Sequence, residues 1–295
     1  MTVWFTPSSD PADARLALDA LASVFADGPA LLLTGAGIST DSGIPDYRGP
    51  DSPPRNPMRI DQYLHDESYR RRFWAGARVG FDALHVEPND GHRAAAALEA
   101  AGMLTGIATQ NVDGLHQRAG ARQVVELHGS GATIRCVDHG HRWSRAEVLG
   151  WFDIANPGFA EANAGARIAP DGDAEVEGVA GVVVPVCPAC GGMLRPDVVY
   201  FGEHVPREVF AAAETLLTDA AGLLIAGSSL AVNTGVRLVH RATRREIPIG
   251  VINRGPTAAD ARASVRVEGG VSETLSGLAA RLGAEQRGTG DQSSA

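Results

Sequence analysis

Short apolar runs alternate with longer amphipathic stretches over most of this chain. Leu31-Leu32-Leu33-Thr34, Leu104 to Thr109, Val124 to Leu127, Leu223 to Ala226 and Pro248 to Asn253 are near-continuous apolar runs, the pattern of parallel strands covered on both faces. Helical patterns lie between them. Asp10-Pro11 supplies an N-cap and a first-turn proline for a helix whose stripe is Leu18, Leu21 and Phe25 and whose end is Gly28. Alanine-rich His92 to Ala101, then Thr234 to Arg245 and Ser272 to Leu282, supply the others. Strand and helix alternating at this spacing predict an α/β fold built on a doubly wound parallel sheet.

Two stretches depart from the alternation. Residues 51–85 open on Pro53-Pro54-Arg55-Asn56-Pro57, which no regular element accommodates, then turn helical through Tyr63, Leu64, Tyr69, Phe73 and Trp74 as a candidate lid. Ile134 to Arg195 carries all 3 cysteines. The expected organisation is therefore a sheet domain from residues 1–50, 86–133 and 196–285, and a small domain from 51–85 and 134–195. The Gly-, Ser- and Gln-rich end, 286–295, reads as a disordered tail.

Parallel strands deliver the residues that follow them to one edge of the sheet, where open α/β folds bind ligands. After the first strand comes Gly35-Ala36-Gly37-Ile38-Ser39, whose glycines allow close backbone approach to a pyrophosphate, although Thr40 stands at the third position of the usual dinucleotide fingerprint. A tight strand-to-helix turn explains the same residues. Ser42-Gly43-Ile44-Pro45-Asp46-Tyr47-Arg48-Gly49 follows, a loop that can fold over a bound ring or simply face solvent. Gln110-Asn111-Val112-Asp113 ends the second strand and His128 the third, the latter either structural or a general base. Gly227-Ser228-Ser229-Leu230 and Asn253 end two more.

With 295 residues and 44% apolar content the chain can bury a large core. Its net charge of -9 disfavours nucleic acid and suits a cationic partner. The absence of any long apolar run predicts no membrane span, and an N-terminus without a basic start or apolar stretch predicts a cytoplasmic protein. Every basic side chain is arginine, because the chain has no lysine, and GC-rich coding accounts for that.

GAGIST, GIPDYRG, TQNVDGLH, ELHGS, CPAC, FGE, GSSL and IN, in this order between residues 31 and 253, resemble the sirtuins, NAD-dependent protein deacylases. The resemblance implies a Rossmann-like NAD-binding domain with a small inserted zinc-binding and helical domain. It implies that Gly35, Ala36, Gly37, Ser39, Gly227, Ser228, Ser229 and Asn253 hold phosphate or adenosine ribose. Asp46 would take the carboxamide, Tyr47 would shield the ribose from water and Arg48 would order that loop; Gln110, Asn111 and Asp113 would fix the nicotinamide ribose. Asn111 and His128 form the implied catalytic pair, the histidine as general base on the ribose hydroxyl that receives the acyl group. An acyl-lysine protein segment would pair as a strand between Gly202-Glu203 and Leu230-Ala231-Val232. ADP-ribosyl transfer or NAD hydrolysis in the same pocket is the alternative activity.

Cys187-Pro188-Ala189-Cys190-Gly191-Gly192 is one half of a zinc knuckle, with a redox pair as the competing reading. The family supplies the other half as a second cysteine pair, but here only Cys136 is present. His139 stands at the C-x-x position and His141 two residues on. The expected set is Cys136, His139, Cys187 and Cys190 on one structural zinc, with His141 or loss of the metal as alternatives. The long insert before Cys187 resembles class II sirtuins. The Tyr and Arg pair by which some members read short acidic acyl groups is not evident after Arg48, since Arg55 and Tyr63 have the wrong order and spacing.

Overall fold

A computed structural model describes residues 2–6, 8, 10–46, 57–80, 86–166 and 176–284. Tyr47, Arg48 and Arg55, and the tail, lie outside the described residues. The chain begins with strand β1 (Val3–Phe5) and helix α1 (Pro11–Ala22), where Asp10 accepts from the Ala12 N–H as N-cap. Strand β2 (Ala30–Thr34) follows, then α2 (Ile60–His65), α3 (Glu67–Gly80), α4 (Asp90–Ala100), β3 (Leu104–Thr109), α5 (Leu115–Arg118) and β4 (Val124–Glu126). The middle of the chain forms β5 (Gly129–Cys136), β6 (Arg142–Ser144), α6 (Arg145–Ala155), α7 (Phe159–Ala162) and β7 (Leu194–Val198). It then returns through α8 (Arg207–Thr218), β8 (Gly222–Ala226), α9 (Asn233–Arg244), β9 (Ile249–Asn253), β10 (Val265–Glu268) and α10 (Val271–Arg281).

Seven strands form one sheet in the order β1-β10-β9-β8-β2-β3-β4, and every pairing is parallel. All five residues of β2 are buried, as its unbroken apolar run requires. Alternation splits them between two cores: Leu32 packs with Leu21 of α1, Leu98 of α4 and Leu275 of α10, while Leu31 and Leu33 pack with Phe210 of α8 and Leu238 of α9. Each such leucine contributes about 1.5–3 kcal/mol of burial free energy. From β2 the chain passes to β3 on one side, and from β8 it passes to β9 on the other. The order therefore switches between β2 and β8, and the loops after these strands part to leave a crevice.

The second sheet is antiparallel, in the order β6-β5-β7. It packs Ile134 and Leu194 against Trp74 of α3 and Phe152 of α6. Its pairing runs from Gly129↔Val198 to Cys136↔Leu194, so residues 129–136 and 194–198 belong to this second sheet. Gly129 is the hinge between the sheets. Its φ is +76°, and a Cβ there would collide with the Asp197 carbonyl oxygen. Gly129→Ala is expected to destabilise the fold by at least about 1–3 kcal/mol, read from chemical denaturation, because backbone strain adds to the collision. An unchanged midpoint would show that the junction relaxes freely.

Candidate functional site

The crevice is a cleft of about 1460 Å³. Its floor is the corner after β2. Gly35 and Gly37 direct their own N–H groups inward, to the carbonyls of Ala226 (3.3 Å) and Gly227 (2.9 Å). Their contribution is thus the missing side chain. A Cβ on Gly37 would lie 2.8 Å from the Gly227 Cα, and one on Gly35 2.8 Å from the Ser228 Cβ. The chain after Gly35 makes two short 3-10 turns, Ala36–Ile38 and Thr40–Ser42, rather than a long helix. Ala36, Ser39, Asp46, Gly227, Ser228, Ser229 and Asn253 also line the cleft. The Asn253 amide nitrogen is spent on its own turn, donating to Arg254 O and Gly255 O, which leaves its oxygen for a ligand.

Deeper in the cleft a polar network converges on Ser39. Its hydroxyl donates to Asp113 Oδ2 (2.7 Å) and accepts from Asn111 Nδ2 (3.0 Å). Asp113 Oδ1 accepts from the Leu115 N–H, which fixes the carboxylate at the head of α5. Gln110 Nε2 donates to Ser228 Oγ (2.6 Å) and ties the β3 loop to the β8 loop. His128 also lines the cleft, with Nδ1 2.9 Å from the Gln110 carbonyl oxygen. Nδ1 must carry the proton to make that bond, so Nε2 is the basic nitrogen. Burial lowers the His128 pKa from its ordinary value, while the Gln110 contact opposes the shift. The ring is neutral near pH 7.

Behind Ser39 lie two buried histidines that the sequence reading passed over. His92 Nε2 faces the Ser39 hydroxyl at 3.4 Å, and His116 Nε2 meets Thr34 Oγ1 at 2.9 Å. Their rings meet edge to face at 5.0 Å. Burial pushes them down to about 4 and about 3 respectively, so both are uncharged struts. Asn89 joins them: as N-cap of α4 it accepts from Gly91 and His92 N–H, and it donates to Ile38 O and Ser42 Oγ. The signal was present as Asn-Asp-Gly-His, a cap residue followed three places on by a polar side chain.

Leu230, Ala231 and Val232 border the cleft, and Leu230 holds the left-handed conformation at φ 55°. Such strain in a branched residue marks a segment whose path the surroundings dictate. Val198, Val199, Tyr200 and Phe201 also line the cleft. Gly202 and Glu203, expected as substrate contacts, are not part of the lining. Glu203 instead makes a bidentate pair with buried Arg195 (2.7 and 2.6 Å) and accepts from the Tyr200 N–H. It braces the wall rather than forming it.

The family model described as Sir2 family matches residues 35–234, a span that contains the glycine corner, the Ser39 network and His128. This chain belongs to the Sir2 family. It is 51% identical to NAD-dependent protein deacetylase 1 of Mycobacterium avium over 89% of this chain and 94% of that protein. It is 42% identical to NAD-dependent protein deacetylase 1 of Streptomyces coelicolor, over 96% and 95%. Among solved structures, a Sir2–p53 peptide–NAD+ complex superposes with a TM-score of 0.73 at 30% identity, covering 90% of this chain and 98% of that one. Sir2Tm bound to a propionylated peptide gives 0.72 at 28%, covering 91% and 99%.

Outside the cleft, one group of side chains among the described residues could hold a metal ion. Cys136, His141, Cys187 and Cys190 bring their ligand atoms within 4.8 Å of one another. Cys136 Sγ lies 3.5 Å from Cys190 Sγ, and His141 Nδ1 lies 3.4 Å from Cys187 Sγ, separations that fit the edges of a tetrahedral Cys3His zinc site. His139, the expected fourth ligand, is corrected to His141. The reason is the hairpin between β5 and β6. Cys136 N–H donates to His141 O at 2.8 Å, so these two residues face each other across the turn. Val137, Asp138, His139 and Gly140 form the exposed tip. His139 stacks on the His141 ring at 5.7 Å from outside.

Proposed function

We propose that this chain is an NAD-dependent protein-lysine deacylase of the deacetylase type. The observation that carries the reading is the placement of the neutral His128 Nε2 in the same cleft as Ser39, Asn111 and Asp113, together with a glycine corner too close-packed for any side chain. NAD would supply the ribose electrophile: its bond to nicotinamide breaks, the amide bond to lysine breaks, and with one water consumed the acyl group ends as an ester on ADP-ribose. The chain's residues do the rest. Asn111 and Asp113, linked through Ser39, orient the nicotinamide ribose; Asp46 takes the carboxamide; Gln110 holds the two phosphate-side loops together. His128 Nε2 takes the proton from the ribose hydroxyl that captures the acyl carbon.

The substrate is an acyl-lysine in a protein segment, lying as a strand between Val198–Phe201 and Leu230–Val232. The net charge of -9 favours a basic segment over nucleic acid. Zinc on Cys136, His141, Cys187 and Cys190 would be closed by four protein ligands and structural, with thiolates that need a reducing compartment such as the cytoplasm. No helix among the described residues is long and apolar enough to cross a membrane.

Asn111→Ala is expected to slow nicotinamide release about 10²-fold, because loss of ribose orientation weakens the first bond cleavage. Stopped assays of nicotinamide and acyl-ADP-ribose, run on an acetyl-lysine peptide, check this and the reading together. Near-normal release would remove Asn111 from the machinery. Nicotinamide release without any acyl-ADP-ribose would favour the ADP-ribosyltransferase or hydrolase reading.

A further inference from the structure

Arg266 of β10 is 1% exposed, and two carboxylates share its charge: Nε lies 3.2 Å from Asp260 Oδ1 and Nη2 lies 2.7 Å from Glu268 Oε2. Its remaining nitrogen, Nη1, is buried without a hydrogen-bond partner among the described residues. Stability does not explain the residue, since a well-packed apolar side chain in place of a buried ion cluster is commonly as stable or more so. What the cluster does is hold a turn. Nη2 also donates to the Gly255 carbonyl oxygen at 2.5 Å, and Glu268 Oε1 accepts from the Gly255 N–H at 2.7 Å. Both backbone polar groups of Gly255 are therefore taken by β10. Asp260 accepts from the Thr257 N–H (3.0 Å) and hydroxyl (2.6 Å), so one guanidinium ties down the segment after β9 at two points.

This turn borders the cleft, which Arg254, Gly255, Pro256 and Glu268 all line. It begins at Asn253, set directly beside Glu268 by the sheet register. Because the Asn253 amide nitrogen donates to Arg254 O (2.8 Å) and Gly255 O (2.9 Å), the aim of its oxygen follows the position of Gly255. An amide oxygen at the end of a parallel strand suits a ribose hydroxyl. Asn111 and Asp113 take the nicotinamide ribose, so Asn253 serves the adenosine half. Contact thus runs from Arg266 through Gly255 to the ribose-holding oxygen.

The same guanidinium meets the first strand of the chain. Trp4 of β1 is paired with Arg266 in the parallel register, and Arg266 Cζ lies 4.9 Å from the centroid of the indole. A cation desolvated against an aromatic face is held more firmly than one in water. Trp4 is itself 55% exposed, so changing it leaves the core intact. The end of the strand also reaches the site directly, since Phe5, Thr6 and Ser8 line the cleft.

We propose that Arg266 is a positioning residue for the adenosine half of NAD, setting the Asn253–Gly255 turn against the ribose, and that Trp4, laid on its guanidinium, makes the N-terminal strand part of the cofactor site. The proposal rests on the deacylase reading above and deepens it. The adenosine half undergoes no bond change, so its contacts serve ground state and transition state alike. Their loss falls on KM for NAD, with kcat at saturating NAD largely retained.

The test uses the full chain. Binding of ADP-ribose, which keeps the adenosine half and lacks nicotinamide, is measured by calorimetry beside kcat and the KM values for NAD and an acetyl-lysine peptide. Arg266→Met is expected to weaken ADP-ribose binding and raise KM for NAD at least about 10-fold, with peptide KM unchanged. Arg266→Lys is expected to restore part of this, because a single ammonium lacks the fork that spans Asp260 and Gly255. Trp4→Ala is expected to raise both constants about 3- to 10-fold, and Trp4→Phe to recover them. A folded Arg266→Met protein with unchanged ADP-ribose affinity overturns the proposal, as does a fall in kcat equal to the rise in KM, the mark of general loosening. Unchanged affinity in Trp4→Ala removes the N-terminal strand from the site and, where Arg266→Met does not fold, overturns the proposal outright. These outcomes leave the deacylase reading standing, since that fails only if the wild type makes no acyl-ADP-ribose. A wild type that neither makes it nor binds ADP-ribose sinks both.

Discussion

His128→Ala is expected to cut formation of acyl-ADP-ribose by about 10²–10⁴-fold, the usual worth of a positioned general base. Exchange of labelled nicotinamide into NAD should persist, because breaking the first bond does not require a base at Nε2. The two readouts separate a catalytic histidine from a structural one: parallel loss of exchange and of NAD affinity would make His128 a strut. Its pH dependence follows from burial. The folded pKa lies below the ordinary 6.5, so the neutral base is present above that value and is lost as pH falls through it. The acid limb of kcat/KM should therefore fall below pH 6.5 and should vanish from the residual activity of the variant.

Removing the metal should have an effect of similar size on stability. Structural zinc sites in small peptides are worth about 10–16 kcal/mol near pH 7, as much as the whole stability of an ordinary domain at about 5–15 kcal/mol. His141→Ala and Cys187→Ser are each expected to abolish zinc binding and to unfold the β5–β6–β7 unit, with activity lost as a result. His139→Ala should keep its zinc, since that ring stacks outside the cluster. Metal analysis beside thermal melts decides it: full zinc in His141→Ala, or none in the wild type, would overturn the ligand set.

The strands of the large sheet were legible wherever an apolar run was long enough to be buried on both faces, as in β2, β3, β8 and β9. β1 and β10 were not, for separate reasons. Val3–Phe5 is a three-residue edge strand, and Val265-Arg266-Val267-Glu268 interrupts its apolar run with Arg266, whose charge is buried beside Asp260 and Glu268. A buried ion pair of this kind is invisible until the fold brings its partners together. The antiparallel sheet escaped because its strands carry glycine, arginine and proline in place of clean alternation. The cleft residues that follow strands were readable because parallel topology delivers them to one edge. His139 misled because sequence spacing gives proximity along the chain, whereas its role depends on which way a turn points it. His116 acts through a contact with Thr34, 82 positions away, where no spacing rule reaches.

The pairing of β1 with β10 joins the first strand of the chain to its last, and Asp19 of α1 meets Arg281 of α10 across 262 positions. During synthesis, residues 3–5 emerge long before their strand partners at residues 265–267 and stay unpaired until these follow. The edge of the sheet, together with the contact between α1 and α10, can therefore close only after β10 and α10 have been made. Loop-closure entropy of that length makes it a late event in folding. A nascent chain stopped short of β10 leaves Leu18 of α1 without the Gly277 face of α10 on which it packs.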